Sequence, residues 1–267
     1  MKLKVFYHIV NLNSPFWRVI VDEQFGKIFD SGLIDHCELH ANLHYDYDAY
    51  NDLKERWQHP NIIWHNSPGV PSDVEHPTWI LMQQTALATD EEFYCLYLHV
   101  KGVTHYGKSD SHNTNEWRRY LEWFNIVNWR QMAAKLDEGV WDTVGCNRQS
   151  TNWADKNGNE RHYYAGNIFW YTASFLRTCL PALQWPSESG NQSQIPNGNG
   201  LCKDDVEFFA GWHADRGYSF FHAFRHHYLQ DCPESLYIDF FDQNKLDTAN
   251  HVNSYRYVNG TFIPLPE

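Results

Sequence analysis

The sequence predicts an α/β fold, a doubly wound and mostly parallel sheet, from two observations. Segments rich in β-branched and aromatic residues alternate with segments of helical apolar spacing over roughly the first hundred residues. The run FYCLYL at 93–98 is apolar throughout, which is typical of a strand covered on both faces. Strands that alternate with helices pair in parallel through right-handed crossovers. A chain of 267 residues can bury such a core without disulfides or a structural metal.

The individual elements follow from apolar spacing and from the turn residues between them. The first strand, 2–10, is followed by loop residues up to Pro15, and the first helix, 16–29, ends before Gly32. Pro77 marks the start of another helix, because proline is favoured in the first helical turn. The remaining predictions are strands at 36–42, 61–65, 92–99, 141–146, 162–171 and 218–224, and helices at 48–58, 116–136, 172–179 and 203–216.

Composition excludes several classes of protein. The chain has 21 Lys+Arg against 33 Asp+Glu, a formal charge of −12, which argues against binding to nucleic acid backbones. No stretch approaches the roughly 18 apolar residues of a membrane span, so we expect no transmembrane segment. The six cysteines form no close pair, as expected for reduced core thiols. We therefore expect a cytoplasmic protein, at most peripheral to a membrane.

The most informative segment is the end of the strand at 92–99. Ligands of open α/β sheets bind at the carboxyl ends of parallel strands. There the buried run stops on His99, Lys101 and Gly102, which suits an anionic group such as a diphosphate. The alternative is a hydrogen-bonded strand end followed by a solvated loop lysine. By the same topological rule, a nucleotide base or ribose would lie near His8 and Asn11, which end the first strand.

Several motifs together resemble one enzyme family. YLHVKGVT at 97–104, preceded by EHPT at 75–78, resembles a group of bacterial and large-virus glycosyltransferases with a GT-A-type fold. The resemblance continues through Trp117-Arg118 and DTVGCN at 142–147. It then includes HYYAGNIFW at 162–170, which is similar to that group's His-aromatic-small-Gly-Asn-aromatic-aromatic-Trp signature. In all, the resemblance covers residues 75–210 in order.

The resemblance implies transfer of a sugar from a nucleoside-diphosphate sugar to a glycan or related acceptor. It implies a single GT-A-like domain over 1–267, with a nucleotide-binding half at 1–115 and an acceptor-side half at 116–267. Within the second half, the polar segment 186–201 is expected to be a mobile loop. On this basis the expected donor-binding residues are His8, Asn11, Glu75, Thr78, His99, Lys101, Gly102 and Arg118. The expected sugar- or acceptor-binding residues are His162, Gly166, Asn167 and Trp170.

The base that such a transfer requires is expected in the segment Lys203-Asp204-Asp205-Val206-Glu207. This segment opens a predicted helix, as the acidic pair of inverting GT-A enzymes does, so Glu207 or Asp205 is the candidate catalytic base. Carboxylates in a first helical turn are also ordinary capping groups. If the enzyme instead retains configuration, these residues would bind the acceptor.

The chain departs from the family in its metal motif. Most GT-A enzymes hold Mg²⁺ or Mn²⁺ with Asp-x-Asp at the end of the fourth strand, where this sequence has His99-Val100-Lys101. We therefore assign no metal ligands and expect Lys101, with Arg118 or Arg119, to offset the phosphate charge, with Mg²⁺ or Mn²⁺ as the alternative. Asp46-Tyr47-Asp48 follows the second strand and is interpreted as a turn, with a metal site as the alternative.

Two other classes of function compete with this interpretation. A non-catalytic carbohydrate- or nucleotide-binding domain would keep the aromatic residues, 16% of the chain, and lose the base. A metal-dependent hydrolase would use the 16 histidines, but the sequence has no HExxH or HxH array.

Overall fold

The computed structural model describes residues 1–12, 14–44, 47–67, 75–105, 107–109, 111–154, 160–179, 216–219, 234, 237–238, 255–258 and 261–264. The strands are β1 Lys2–Val10, β2 Cys37–His44, β3 Ile62–Ser67, β4 Phe93–His99, β5 Thr143–Gly145, β6 Arg148–Ala154, β7 Glu160–Tyr164, β8 Phe169–Thr172, β9 Gly217–Ser219, β10 Tyr255–Val258 and β11 Thr261–Pro264. The helices are α1 Trp17–Asp30, α2 Tyr47–Arg56, α3 His76–Leu87, α4 Ser111–Glu122, α5 Trp129–Asp137 and α6 Ala173–Thr178.

Seven strands form one sheet in the order β3-β2-β1-β4-β8-β5-β9. Strands β1 to β4 pair in parallel, β8 runs antiparallel to both of its neighbours, and β9 is parallel to β5. The pairs β6-β7 and β10-β11 are separate antiparallel ribbons. The predicted doubly wound, mostly parallel α/β sheet is therefore confirmed.

Buried side chains alternate between the two faces of the sheet, which explains the continuous apolar run of β4. On that strand, Cys95 and Tyr97 join a core formed with α3 and α6, whereas Leu96 and Leu98 join the larger core formed with α1 and α4. A strand buried on both faces has no solvent side and so carries no polar alternation. Each apolar side chain removed from water in this way contributes about 1.5–3 kcal/mol.

The predicted helix at 116–136 is wrong in its continuity. The chain instead forms α4, a π-helical segment at Trp123–Val127 and α5. The Asn125 side-chain amide donates to the Leu121 carbonyl at 2.9 Å, and the Asn128 amide donates to the Trp123 carbonyl at 3.0 Å. Asparagine side chains that bond to the backbone compete with the regular helical ladder, and here they accompany the break. In addition, α4 begins at Ser111, five residues before the predicted start of the helix at 116.

The predicted aromatic strand at 162–171 is also two elements, β7 and β8. A turn separates them, in which Gly166 and Asn167 have φ values of +97° and +53°. Residues with left-handed backbone end a strand, but the apolar pattern of the surrounding residues conceals them. Trp170, expected in the sugar pocket, is fully buried on the opposite face and donates to the Asn125 carbonyl at 3.0 Å. It is therefore a core residue.

A buried charge network lies beneath the sheet between α1 and α4. The Glu122 carboxylate is fully buried and accepts hydrogen bonds from Arg118 at 2.9 Å, Lys27 at 2.5 Å and Gln24 at 2.7 Å. Burial alone would raise the pKa of Glu122, but Arg118 and Lys27 bring it below its ordinary value. Arg118 also donates to Glu23 at 2.5 Å. Arg118 was expected to meet a diphosphate, but both of its terminal nitrogens are engaged by internal carboxylates.

Two predictions from composition concern the cysteines and the absence of a membrane-spanning segment, and the structure describes only some of the residues involved. Cys37, Cys95, Cys146 and Cys179 are buried free thiols, as predicted, and burial raises their pKa values. Cys202 and Cys232 lie outside the described residues. Within the described part of the chain, no helix has the length and apolarity needed to cross a bilayer.

We expect Glu122→Gln to lower the free energy of unfolding by about 3 kcal/mol, because it removes the buried carboxylate that the buried Arg118 and the partly buried Lys27 share. Urea unfolding monitored by circular dichroism measures this difference. Glu91→Gln is the matched control: its partner Lys2 and Glu91 itself are both largely exposed, so the change should stay within about 0.5 kcal/mol. Equal effects of the two substitutions would show that the network does not stabilise the fold.

Candidate functional site

The strand order opens a crevice at one edge of the sheet. From β1 the chain moves outward to β2 and β3 on one side, and it then returns to place β4 on the other side. Such a reversal separates the loops at the carboxyl ends of β1 and β4, and ligands bind there. In the register of the two strands, His8 and His99 are direct neighbours on the face covered by α3.

Unusual backbone conformations concentrate at this same edge. Among the described residues, the non-glycine positions with positive φ are Leu12 after β1, Asn147 after β5 and Asn167 just before β8. Because β8 runs antiparallel, its start lies at the carboxyl edge of the other strands. Gly102, with φ +91°, follows β4 at this edge as well. Such conformations cost free energy and cluster at functional sites.

A buried carboxylate, that of Glu75, joins three segments at the crevice. Its Oε1 lies 3.0 Å from His99 Nδ1, and its Oε2 accepts hydrogen bonds from the Tyr97 hydroxyl at 2.8 Å and the Asn167 amide at 2.6 Å. Burial alone would raise the pKa of Glu75. The His99 ring and the hydrogen bonds that Glu75 accepts hold that pKa well below its usual range. Glu75 therefore stays ionised and fixes the residues around it.

The ring of His99 bridges Glu75 to the turn before β8. Its Nε2 lies 2.9 Å from the carbonyl oxygen of Gly166, and its Nδ1 faces the Glu75 carboxylate. A carbonyl oxygen and an ionised carboxylate only accept hydrogen bonds, so both ring nitrogens donate. His99 is thus an imidazolium whose charge is paired with Glu75, and its two N–H groups are used inside the protein.

His8 lies beside this pair and is uncharged. Its side chain is 1% exposed, and burial lowers its pKa to about 3. His8 Nδ1 is 2.8 Å from the Thr78 hydroxyl. That hydroxyl accepts a hydrogen bond from the Asn42 amide at 2.9 Å. Asn42 in turn accepts from the Ser67 hydroxyl at 2.8 Å. A chain of neutral hydrogen bonds therefore runs across the ends of β3, β2 and β1 to His8.

Among the buried polar atoms at the crevice that make no hydrogen bond with the described residues, two lie next to the Glu75–His99 pair. They are His8 Nε2 and Asn167 Oδ1, on side chains that are 1% and 2% exposed. A buried polar group without a partner costs about 1–3 kcal/mol, and most such groups in native proteins are satisfied by protein, water or a ligand. These two atoms therefore mark places where a ligand would gain hydrogen bonds.

A positive charge lies at the end of β4. Lys101 is 8% exposed, and its ammonium lies 4.5 Å from the centroid of the Trp117 ring. A cation over an aromatic face is attracted by the ring without being neutralised by it. The same tryptophan packs against the turn before β8 and leaves no room for a side chain at position 166. A Cβ added to Gly166 would lie 2.9 Å from Trp117 Cζ2 and 2.3 Å from Leu121 Cδ1.

The structure brings together His8, Thr78, Glu75, His99 and Asn167, with Lys101, Gly102 and Gly166 at the same edge. Asn11 directly follows β1, and its carbonyl accepts from the Ser14 amide at 2.9 Å. His162 lies on β7, in register with Ser150. Arg118 and Trp170 belong to the opposite side of the sheet. The candidate bases Asp205 and Glu207, and the loop 186–201, lie outside the described residues.

The sequence analysis missed two further histidines of this site. His44 ends β2 and is fully buried, with its ring 5.9 Å from that of His8, and His76 at the start of α3 is 3% exposed. A signal was present: His40 and Asn42 are polar at alternate positions of the predicted strand 36–42, and His44 continues the alternation two residues past its predicted end. Such alternation places polar side chains on one face near a carboxyl end.

The end of β4 does not fit a divalent metal ion. Among the described residues, no group of three or more His, Cys, Asp or Glu side chains has the arrangement of a metal site. His99 donates through both ring nitrogens, Lys101 is cationic, and Glu75 is occupied by three donors. The aspartate Asp46 of the Asp-Tyr-Asp motif lies outside the described residues, while Asp48 lies in the first turn of α2.

Comparisons with known proteins give little further information. No protein-family model matches the chain, and no curated protein matches it. Among solved structures, the chain is similar to a 4-diphosphocytidyl-2C-methyl-D-erythritol synthase from Anaerococcus prevotii, with 8% identity and a TM-score of 0.40. That match covers 91% of this chain and 96% of the other. The assignment of function therefore depends on the residues of the crevice.

We expect Gly166→Ala to lower the free energy of unfolding by about 3 kcal/mol, since the new Cβ meets Leu121 and Trp117 in a left-handed conformation. Gly107→Ala is the control, because Gly107 has a similar φ of +74° but no atom within 4 Å of its would-be Cβ. It should cost only about 1 kcal/mol. Chemical unfolding of both variants gives the difference, and equal losses would contradict the close packing.

We expect the fold to lose stability as the pH falls below 6.5. Between pH 6.5 and about 3, the unfolded chain protonates His8 whereas the folded chain does not, so folding releases that proton. Each such group changes the free energy of unfolding by about 1.4 kcal/mol per pH unit. His40, which is 6% exposed, behaves in the same way. Burial lowers its pKa to about 4, so between pH 6.5 and about 4 the unfolded chain binds a second proton that the folded chain does not.

Urea unfolding at pH 7, 6 and 5 measures this slope. His8→Asn should reduce it by one proton, because the protein then lacks the buried imidazole that stays unprotonated in the folded state. A His8→Asn slope equal to that of the unmodified protein would show that His8 is not held neutral.

Proposed function

We propose that the protein is a glycosyltransferase that uses a nucleoside-diphosphate sugar. The observation that carries the proposal is the composition of the crevice between β1 and β4: neutral buried hydrogen-bonding groups beside the buried ammonium group of Lys101. A nucleotide sugar has the same combination, since it joins hydroxyl-bearing rings to an anionic diphosphate. The motifs shared with bacterial and large-virus glycosyltransferases support the same assignment.

Lys101 is the residue proposed to face the diphosphate. The charges of Glu75 and His99 offset each other, and the buried ammonium of Lys101 is a further charged group at the end of β4. Its ammonium rests over Trp117, which restricts the side chain without cancelling its charge. Negative charge develops on the leaving diphosphate during sugar transfer, and a preorganised cation stabilises it.

The Glu75–His99 pair serves as the frame of the site. It joins the start of α3, the end of β4 and the turn before β8 through bonds of 2.6–3.0 Å. A site whose groups are already fixed loses little conformational freedom when a ligand binds. Glu75 and His99 are thus proposed to be positioning residues.

Transfer itself requires a base, for which Glu207 or Asp205 is the candidate. The carboxylate would take the proton of the acceptor hydroxyl as its oxygen attacks the anomeric carbon. The bond from that carbon to the diphosphate breaks at the same time, and the nucleoside diphosphate departs with the electron pair. Attack on the side opposite the leaving group inverts the configuration of the sugar.

Binding of donors tests the first half of this proposal. We expect one member of a panel of uridine, guanosine, cytidine and thymidine diphosphate sugars to raise the melting temperature, because a ligand that binds the native state stabilises it. Lys101→Met keeps the stem over Trp117 and removes the charge, so the same donor should bind about tenfold more weakly. Lys108→Met, at an exposed position nearby, is the control.

The second half is tested by turnover. Glu207→Ala and Asp205→Ala are each assayed for sugar transfer and for donor affinity. An enzyme with a carboxylate base should lose transfer in one variant and retain its donor affinity in both. Unchanged transfer in both variants would remove these residues as bases, and donor binding without any transfer by the unmodified protein would favour a non-catalytic binding domain.

A further inference from the structure

Two buried atoms of the crevice, His8 Nε2 and Asn167 Oδ1, are of opposite hydrogen-bonding character. Asn167 donates through Nδ2 to Glu75 Oε2 at 2.6 Å. An ionised carboxylate accepts only, so this contact fixes the orientation of the Asn167 amide and leaves Oδ1 as an acceptor. Oδ1 makes no hydrogen bond with the described residues.

His8 presents a donor. The Thr78 hydroxyl already accepts from the Asn42 amide, whose orientation is set by the Ser67 hydroxyl that donates to its oxygen. The Asn42 amide nitrogen only donates, so among the described hydrogen-bond partners of this hydroxyl only His8 Nδ1, 2.8 Å away, can accept its hydrogen. In a neutral imidazole that accepts through Nδ1, the proton is on Nε2. The buried Nε2 atom, which makes no hydrogen bond in the described part of the chain, is thus an N–H donor.

The two atoms belong to one site. His8 is the register neighbour of His99 on β4, and Asn167 shares the Glu75 carboxylate with the ring of His99. Neighbouring strands are about 4.8 Å apart, so both side chains lie against the same buried pair. Neither carries a charge.

A neutral donor beside a neutral acceptor selects against phosphate. Phosphoryl oxygens accept hydrogen bonds and, when ionised, donate none, so they would face Asn167 Oδ1 without a proton between them. A hydroxyl group both donates and accepts. The hydroxyls of one sugar ring offer both functions, one accepting from His8 and another donating to Asn167.

Resting on the proposed function, we infer that His8 and Asn167 form a subsite for the hydroxyls of a sugar ring, separate from the phosphate position at Lys101. The ring belongs either to the ribose of the nucleotide or to the transferred sugar. Both present the same chemistry. The uncharged ring of the ligand thus binds on the α3 face of the sheet, and its anionic part binds at the end of β4.

The test uses the full chain and isothermal titration calorimetry. His8→Asn keeps a polar atom at the Nδ1 position for Thr78 and removes Nε2. Asn167→Gly tolerates the left-handed backbone and removes the amide. His40→Asn is the matched control, a buried histidine on the same face whose ring bonds to Glu38 and His65. Each protein is titrated with the donor found in the panel, with its nucleoside diphosphate alone, and with analogues lacking one ring hydroxyl.

If the subsite binds ribose, His8→Asn and Asn167→Gly should each weaken the nucleoside diphosphate about tenfold. The variants should then bind its 2′-deoxy or 3′-deoxy form as well as the unmodified protein does. If it binds the transferred sugar, the nucleoside diphosphate should be unaffected, and the loss should appear with the donor and vanish with the corresponding deoxy sugar. His40→Asn should bind every ligand normally.

Equal losses for hydroxyl-bearing and deoxy ligands, or no loss in either variant, would overturn this inference while leaving the proposed function intact. If no member of the panel binds the unmodified protein, both proposals fall. Nitrogen-15 NMR gives a second, ligand-free measurement. A His8 ring that is protonated on both nitrogens at pH 7, or that carries its only proton on Nδ1, would contradict the assignment of Nε2 as the donor.

Discussion

The ion pair between Glu75 and His99 is the interaction on which the candidate site depends. It lies where the sheet reverses its order, and it joins residues that are distant in sequence: 75 at the start of α3, 99 at the end of β4, and 166–167 before β8. A buried pair of this kind needs every remaining polar atom satisfied, or desolvation outweighs the attraction. Here Tyr97, Asn167 and the Gly166 carbonyl supply those bonds, so the pair imposes one geometry on three segments.

The opposite face of the sheet supports the same strand end. Gln24 on α1 donates to the His99 carbonyl at 3.0 Å, and its amide also bonds to the buried Glu122. The position of His99 is therefore fixed from both sides, by its side chain on the α3 face and by its backbone on the α1 face. Arg118 contributes to this support through Glu122, which gives it a structural role in place of the expected contact with phosphate.

The fold was largely predictable because it is recorded in local patterns. Apolar spacing and turn residues predicted the order of the first four strands and three helices, with ends that differ by a few residues. The failures are also local. The break at Asn125 and Asn128 and the turn at Gly166 and Asn167 occur inside runs whose apolar spacing continues, so periodicity alone does not reveal them. Among the site residues, the segment YLHVKG placed His99 and Lys101 at the correct edge because strand ends follow directly from strand prediction.

The sequence by itself determined the sheet, the edge of the sheet at which the crevice opens, and the polar residue types that lie there. Only the tertiary structure decided the role of each residue. It placed the ammonium of Lys101 over the Trp117 ring at the end of β4, and it placed Arg118 beside Glu122 and Glu23 on the other side of the sheet. It also assigned Trp170 to the core and left His8 neutral beside a charged His99. Most of these differences depend on partners far away in sequence, such as Glu23 for Arg118 and Thr78 for His8, and the sequence around a charged or polar group does not set its pairing or its burial.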